Sequence, residues 1–167
     1  IDIKKFENKI KFKISKKQNF IEFSELGFNY LKKISQIIKE NNGGLLIIDY
    51  GYTSEKMKNT LQGVSNHKFA NILSEIGNVD ITHKINFNIF KKFIKQIGLK
   101  TNLTTQRNFL IKIGIKQRAE IISKNQEFLQ KADTFYRLKR LIDKKEMGNL
   151  FKVMFLKNIN NRFKLGF

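Results

Sequence analysis

The chain has 167 residues, 41% of them hydrophobic and none of them cysteine, so it has room for one globular domain and excludes a disulfide framework and a thiolate metal site. Its 33 basic and 14 acidic residues give a formal net charge of +19, which can indicate an anionic partner such as nucleic acid. No apolar run approaches the ~20 residues of a membrane span, and no signal-peptide pattern begins the chain. We therefore expect one intracellular domain without a metal site or a membrane segment.

The first part of the chain is predicted to be extended. Residues 9–14 alternate lysine with apolar side chains, as a half-exposed strand does, and residues 1–6 can pair with them as a hairpin. Residues 20–23 form a third short extended piece. A helix is predicted to follow, with Ser24 as its N-cap and Gly43 at its end.

Residues 45–48 are the strongest strand signal in the sequence. Four consecutive apolar residues without polar alternation are typical of a central strand that is covered on both faces. Asp49, Tyr50, Gly51 and Tyr52 follow at the carboxyl end of that strand, where open α/β sheets bind their ligands. These four residues are candidate site residues, and the alternative is an ordinary turn after a buried strand.

The rest of the chain alternates between predicted helices and strands. Apolar spacing and glycine positions predict helices over 55–61, 69–76, 90–97 and 108–113, one long helix from about 116 to 144, and strands over 99–104 and 150–156. This pattern predicts a single α/β domain over residues 1–167, with a hairpin in 1–23, sheet and helices in 24–157, and a loose tail in 158–167. No glycine-rich turn follows a strand, so no phosphate or nucleoside cradle is evident.

The stretch from Gly43 to Tyr52 resembles the GG-x-L-x-IDYG segment of the MidA-like methyltransferases, relatives of the mitochondrial complex I assembly factor that methylates an arginine on a core subunit. Four further blocks resemble the family in the same order, namely Thr60-Leu61-Gln62-Gly63 with His67 and Phe69, Gly77 with Asp80, Thr82, His83 and Phe87, Thr105-Gln106 with Phe109, Leu110, Gly114, Ile115, Arg118 and Ala119, and Met147-Gly148 with Leu150, Phe151, Lys152, Val153 and Met154.

The resemblance implies the carboxyl-terminal part of a class I methyltransferase (Rossmann-like) sheet, in which strands run in the order 3-2-1-4-5-7-6 and the last is antiparallel. Residues 45–48, 99–104 and 150–156 would be strands 5, 6 and 7, with residues 1–23 an insertion after strand 4. Family members are longer, and the chain resembles only their carboxyl half. It lacks the first strands and the loop that holds S-adenosylmethionine, so the implied cofactor has no binding residues in this chain.

The implied function is that of the carboxyl-terminal half of a protein arginine methyltransferase acting on a respiratory complex I subunit or a similar protein. A separately encoded amino-terminal half is a possible partner, and the chain alone is expected to be inactive. The compartment would be the cytoplasm of a bacterium or the mitochondrial matrix of a eukaryote. Asn59 and Asn86 replace aspartates that are usual in the family, which bears on whether the pocket is intact.

Arginine methylation needs carboxylates or carbonyls that bind and orient the cationic side chain. Asp49, Asp80, Thr82 and His83 are the catalytic candidates, and Tyr50, Gly51 and Tyr52 are the substrate-binding candidates. Each has a structural alternative: Asp49 can cap the next turn, Asp80 and Thr82 can cap backbone groups, and His83 and the tyrosines can simply pack.

Two other function classes stay open. The chain could be a non-catalytic remnant of a split methyltransferase gene, or a basic module that binds nucleic acid. The lysines are spread along the whole chain and only five arginines occur, which favours a compositional origin of the charge over a nucleic-acid partner.

Overall fold

The computed structural model describes residues 2–66, 68–73 and 76–167. Its helices are α1 (Ile3–Ile10), α2 (Glu25–Glu40), α3 (Phe87–Gln96), α4 (Gln106–Lys112), α5 (Ile115–Ser123), α6 (Phe128–Ile142) and α7 (Met147–Leu150). Its strands are β1 (Gly44–Tyr52), β2 (Gln62–Ser65), β3 (Lys68–Ala70), β4 (Asp80–Thr82), β5 (Ile85–Asn86), β6 (Lys100–Thr105) and β7 (Phe151–Lys157). Among the described residues, no helix is both long and apolar enough to cross a membrane.

The main sheet has the strand order β5-β1-β7-β6. Strand β7 runs antiparallel to both β1 and β6, and it pairs with β1 from Gly44 to Tyr50. The short β5 joins β1 in parallel only at Gly51 and Tyr52. The predicted neighbours, strand 5 beside an antiparallel strand 7 beside strand 6, are therefore confirmed. The predicted strands over 45–48, 99–104 and 150–156 correspond to β1, β6 and β7.

One face of this sheet carries the core. Phe28 of α2 packs edge-on against Phe93 of α3, with ring centroids 5.1 Å apart, and Met154 and Leu156 of β7 are fully buried. On the opposite face, Leu46 and Ile48 of β1 remain exposed among the described residues. The central strand is therefore covered on one face only, and the prediction of cover on both faces is wrong for this chain.

The predicted hairpin in residues 1–23 is also wrong, because residues 3–10 form helix α1. Asp2 caps the helix by accepting from the amide of Lys5 at 3.0 Å, and Phe6 and Ile10 face the core one turn apart. Lys11, in the left-handed region with φ 53°, ends it. Residues 9–14 span the end of this helix, so their alternating lysine and apolar side chains predicted a strand that the structure does not contain.

Neither helix predicted over 55–61 or 69–76 is present in the part of the chain that the structure describes. The first segment is irregular, and the second contains β3, the edge strand of a small sheet ordered β3-β2-β4. Phe69 of β3 is exposed, so its spacing did not mark a buried helical face. His67, which belongs to one of the family-like blocks, lies outside the described residues.

The long helix predicted from 116 to 144 is two helices, because residues 124–127 separate α5 from α6.

The tail over residues 158–167, which was predicted to be loose, packs against the rest of the chain. The amide of Asn158 donates to the carbonyl oxygen of Gly43 at 3.2 Å, and the ring centroid of Phe163 lies 5.3 Å from that of Phe155. The ammonium of Lys157 also donates to the carbonyl oxygen of Phe163 at 2.6 Å.

Candidate functional site

The carboxyl end of β1 is built around Gly51. Its Cα lies so close to β5 and α3 that an added Cβ would collide with the ring of Phe87 and the carbonyl oxygen of Ile85. Only glycine permits this approach, and it allows β5 to join the sheet at this point. Gly51 thus serves packing on the side of Phe87 and Ile85, and it also lines a second pocket of about 410 Å³ together with Tyr52 and Thr60, where its substrate-binding role stays a prediction.

A cavity of about 440 Å³ lies beside β1, beneath helix α2. Most of its wall is apolar, with Leu45 and Ile47 from β1 and Leu31 and Ile34 from α2. The polar lining residues include Asp49, which follows these β1 residues at the carboxyl end of the strand, and His83 and Lys84, which precede β5. The cavity is therefore an apolar groove with polar groups where β1 ends.

Asp49 and His83 are the two predicted catalytic residues that the structure brings to this cavity. Asp49 shares the face of β1 that carries Leu45 and Ile47, and its Oδ1 accepts from the amide of Tyr50 at 2.7 Å. His83 is exposed at the same cavity. Their location fits a site at the strand end, and their chemical roles stay predictions.

Asp80 and Thr82 are not among the residues that line the cavity. Both lie on β4, one of the two edge strands of the small sheet, where Asp80 pairs with Val64 and Thr82 with Gln62. The hydroxyl of Thr82 accepts from the side-chain amide of Gln62 at 3.2 Å. Thr82 therefore contacts a side chain of the neighbouring strand β2, and the roles of Asp80 and Thr82 stay predictions.

The two tyrosines also leave the cavity. Tyr50 points to the opposite face of β1, where its ring lies 4.0 Å, centroid to centroid, from that of Phe151. The hydroxyl of Tyr52 accepts from the amide of Lys58 at 3.0 Å, and the Lys58 ammonium lies 5.7 Å from the ring centroid. Tyr50 therefore packs against β7, whereas Tyr52 lines the second pocket with Gly51, and the substrate-binding roles of both tyrosines stay predictions.

Sequence reasoning missed a network that shapes the polar end of the cavity. The carboxylate of Glu22 accepts from the amide of Thr60 at 3.3 Å and from its hydroxyl at 2.5 Å. The Thr60 hydroxyl in turn accepts from the amide of Lys84 at 2.8 Å. Thr60 stands in one of the family-like blocks, which was its only signal. Glu22 had no signal in the sequence, because it lies 38 residues from its partner Thr60 along the chain.

Asn86, which replaces a usual aspartate, is the N-cap of α3. Its Oδ1 accepts from the amides of Asn88 and Ile89 at 3.1 and 3.3 Å, as an aspartate oxygen would. Its buried Nδ2 is among the described side-chain atoms without a hydrogen-bond partner. The replacement thus preserves the cap and leaves one donor unsatisfied.

Positive charge also gathers near the end of β1. Burial, followed by the nearby charge of Lys84, lowers the pKa of Lys152 below its ordinary value. Lys152 lies opposite Asp49 in the β1–β7 register, and its ammonium donates to the carbonyl oxygen of Asn149. Lys84, which lines the cavity, and Lys152, which lies opposite Asp49, therefore place two basic residues near the end of β1.

The order β1-β7-β6 with an antiparallel β7, and a cavity at the carboxyl end of β1, define a methyltransferase-type α/β sheet. Residues 2–105 match the profile of a family described as S-adenosyl-L-methionine-dependent methyltransferase. The chain belongs to this family, which confirms the MidA-like resemblance of its sequence blocks.

Several relatives carry the name "Protein arginine methyltransferase NDUFAF7, mitochondrial". The protein of Danio rerio is 27% identical over 122 residues, which are 73% of this chain and 29% of the relative. The human protein is 27% identical over 128 residues, covering 72% of this chain and 27% of the relative. The chain thus spans less than a third of the length of these relatives.

Two solved structures from Burkholderia thailandensis have the same fold. One is a COG1565 superfamily protein that superposes with a TM-score of 0.65 at 24% identity, covering 81% of this chain and 38% of that chain. The other, a COG1565 superfamily member bound to S-adenosyl-homocysteine, has the same TM-score and identity and covers 81% of this chain and 37% of that chain.

A glycine cradle after a strand of the main sheet is not evident among the described residues. Four glycines have the left-handed backbone that a cradle can use, and none of them follows a strand of the main sheet: Gly77, Gly98, Gly114 and Gly166. Gly51, which lies at a strand end, packs against Phe87 and the carbonyl oxygen of Ile85 in the direction of an added Cβ. No contact with S-adenosylmethionine is therefore assigned to this chain.

Proposed function

We propose that this chain is the carboxyl-terminal portion of a protein arginine methyltransferase, active only when an amino-terminal portion completes its sheet and supplies the cofactor site. The observation that carries the proposal is the open edge of β1 beside the apolar cavity. In the described residues, β1 pairs with β7 along Gly44–Tyr50, while its other edge is paired only at Gly51 and Tyr52.

An added strand would provide hydrogen-bond partners for the backbone of this region and packing partners for its side chains. Open strand edges carry rows of unpaired N–H and C=O groups and readily accept another strand. The groove lined by Leu31, Ile34 and Ile47 could receive apolar side chains from such a strand. Exposed Leu46 and Ile48 on the opposite face would gain cover at the same time.

The acceptor would enter at the polar end of the groove. There, Asp49 could bind and orient a guanidinium, and His83 could contact the same group from the segment before β5. The name of the relatives supports a protein arginine as the acceptor class, and a respiratory complex I subunit or a similar protein is our proposed target. The proposed compartment is the bacterial cytoplasm or the mitochondrial matrix.

Co-expression with an amino-terminal methyltransferase portion tests the proposal. A soluble one-to-one complex should form, bind S-adenosyl-homocysteine and transfer a labelled methyl group to an arginine-containing protein. Absence of both complex and transfer with every amino-terminal portion supplied would favour the remnant alternative.

Two substitutions on α2 make the test specific. Tyr30 and Ile37 are both 57% exposed, but only Tyr30 lines the cavity. Tyr30→Lys should weaken the complex because it places a charge where the strand would pack, whereas Ile37→Lys should leave it intact. Equal complex formation by both variants would show that the partner does not occupy the groove.

A further inference from the structure

A basic cavity of about 830 Å³ lies at the end of β6 and β7, and its wall holds four cationic side chains, those of Lys100, Lys157, Arg162 and Lys164. Three asparagines and one isoleucine complete the wall, and no aspartate or glutamate is among the described residues that line it. Lys157 pairs with Gly44, at the start of β1, so the basic cavity lies at the opposite end of the sheet from Asp49. It is therefore separate from the proposed acceptor site.

The pairing of β6 with β7 brings two of these lysines together. Lys100 and Lys157 are direct partners in the antiparallel register, where the Cβ atoms of opposite residues lie about 5 Å apart. Like charges at such positions destabilise a sheet, and neither lysine forms an ion pair with a described carboxylate. An anion bound beside both lysines would replace this repulsion with attraction.

Lys157 is the more unusual of the two because it is buried, with only 5% of the residue exposed. A buried charge is normally paired with an opposite charge. The Lys157 ammonium has three N–H donors, and the described residues supply one acceptor, the carbonyl oxygen of Phe163 at 2.6 Å. A lysine-rich composition accounts for exposed lysines, but it does not account for a buried lysine without a carboxylate partner.

The tail supplies the other two cations. The ammonium of Lys100 donates to the carbonyl oxygen of Ile159 at 3.3 Å, so Lys100 and Lys157 hold the tail at two points. This docking brings Arg162 and Lys164 to the cavity wall. Both residues are exposed, and neither side chain has a hydrogen-bond or ion-pair partner among the described residues. Their donors are therefore available to a ligand.

We propose that the basic cavity binds a compact polyanion of the di- or triphosphate class. Four cations without an acid in the described wall match several negative charges on one small ligand. Ile159 is the one apolar residue of that wall, so a nucleoside base would find little apolar surface. No aromatic residue is among the described lining residues, which argues against single-stranded nucleic acid, because its bases stack on aromatic rings.

Calorimetry of the full chain with inorganic triphosphate tests the proposal, and it should show one saturable site per chain. The double variant Arg162→Gln, Lys164→Gln should weaken binding by about tenfold or more. The matched control is Lys32→Gln, Lys33→Gln, because both lysines are exposed on α2 and lie outside the cavity wall. It removes the same charge and should change the affinity by less than about twofold. Equal weakening of the two variants, or no saturable binding by the unaltered chain, would overturn the proposal.

Lys100→Gln separates ligand binding from a structural role. This variant should weaken triphosphate binding without lowering the urea midpoint, because it removes the like charge opposite Lys157. A lower midpoint with unchanged affinity would assign Lys100 to holding the tail and would contradict the proposal.

Two further ligands identify what the cavity recognises. ATP should bind no more tightly than inorganic triphosphate, since the phosphates alone make the contacts. A single-stranded oligonucleotide should not displace triphosphate at physiological salt. Tighter binding of ATP, or displacement by the oligonucleotide, would show that bases or an extended backbone are recognised and would overturn the assignment to a compact polyanion.

Discussion

Thr60 donates two hydrogen bonds to Glu22, one from its amide at 3.3 Å and one from its hydroxyl at 2.5 Å. The two residues lie on irregular segments on either side of β1. Because the Thr60 hydroxyl also accepts from the amide of Lys84, the pair fixes the segment that leads into β5. The polar end of the cavity therefore depends on a contact between distant parts of the chain.

Removing either the Glu22 carboxylate or the Thr60 hydroxyl should destabilise the fold. Hydrogen bonds to a partly buried carboxylate contribute about 2 kcal/mol, so Glu22→Gln and Thr60→Val should each lower the free energy of unfolding by about that amount. The double variant should lose little more than either single one. Urea denaturation measures this, with Glu55→Gln as the control, because Glu55 is exposed and its ion pair with Lys92 should contribute little. Additive losses would contradict the pairing.

Asp49 should affect catalysis more than stability. In a complete methyltransferase assembly, Asp49→Asn should reduce the methylation rate at least tenfold, about 1.4 kcal/mol of transition-state stabilisation, with little change in Tm. Asp80→Asn serves as the comparison, because Asp80 lies on β4 away from the cavity. An equal loss in both variants would show that the acceptor also contacts the small sheet. Full activity of Asp49→Asn would assign Asp49 to capping.

Acid should loosen the first helix through Glu7. Burial would raise the pKa of Glu7, but hydrogen bonds from the Ser15 amide and hydroxyl, both at 2.7 Å, and from Lys13 hold it below the ordinary value of 4.5. With the folded-state pKa depressed, this stabilisation is present above the unfolded pKa and is lost as pH falls through the folded one.

Glu7→Gln is the measurement that isolates this carboxylate. It should lower the free energy of unfolding at neutral pH and flatten its decline below about pH 4.5, the ordinary value. A variant that keeps the full acid dependence would show that other carboxylates cause it.

Sequence reasoning succeeded where local composition identifies the element. The strands over 45–48 and 150–156 are continuous apolar runs, so their composition predicts a strand without any information on its partner. Sequence reasoning failed where a contact between residues far apart in the chain determines the local structure. Residues 3–10 are a helix because Phe6 and Ile10 meet a core built by α2, and Glu22 gains its role only from Thr60. Asp80 and His83 are close in sequence, yet the pairing of β4 with β2 separates their surroundings.

The positive charge should not confer specific nucleic-acid binding. Lysines scattered over the surface make contacts with phosphates that depend on counterion release, so any affinity should fall steeply with salt. Fluorescence anisotropy with labelled DNA and RNA at two salt concentrations measures this. Sub-micromolar binding with sequence preference at physiological salt would instead support the basic-module alternative.

The chain alone should not bind the cofactor of its family. No described glycine forms a cradle after a strand of the main sheet, so calorimetry with S-adenosyl-homocysteine should show no saturable heat at sub-millimolar concentrations. The one-to-one complex with an amino-terminal portion is the positive control. A micromolar dissociation constant for the isolated chain would require a site that the described residues do not display.

The open edge of β1 should make the isolated chain self-associate into aggregates that contain no fixed number of copies. Leu46 and Ile48 are exposed on one face, and the edge of residues 44–50 that faces away from β7 has no charge, proline or bulge before Asp49 to discourage another strand. Because edge pairing can continue from copy to copy, size-exclusion chromatography with light scattering should show a broad distribution of masses. When an amino-terminal portion occupies the edge, the mass distribution should collapse to a single defined complex. The Tyr30→Lys variant should keep the broad distribution. A monodisperse monomer or dimer of the isolated chain, with a sharp cooperative melt, would show that the edge is closed without a partner and would contradict the proposed completion of the sheet.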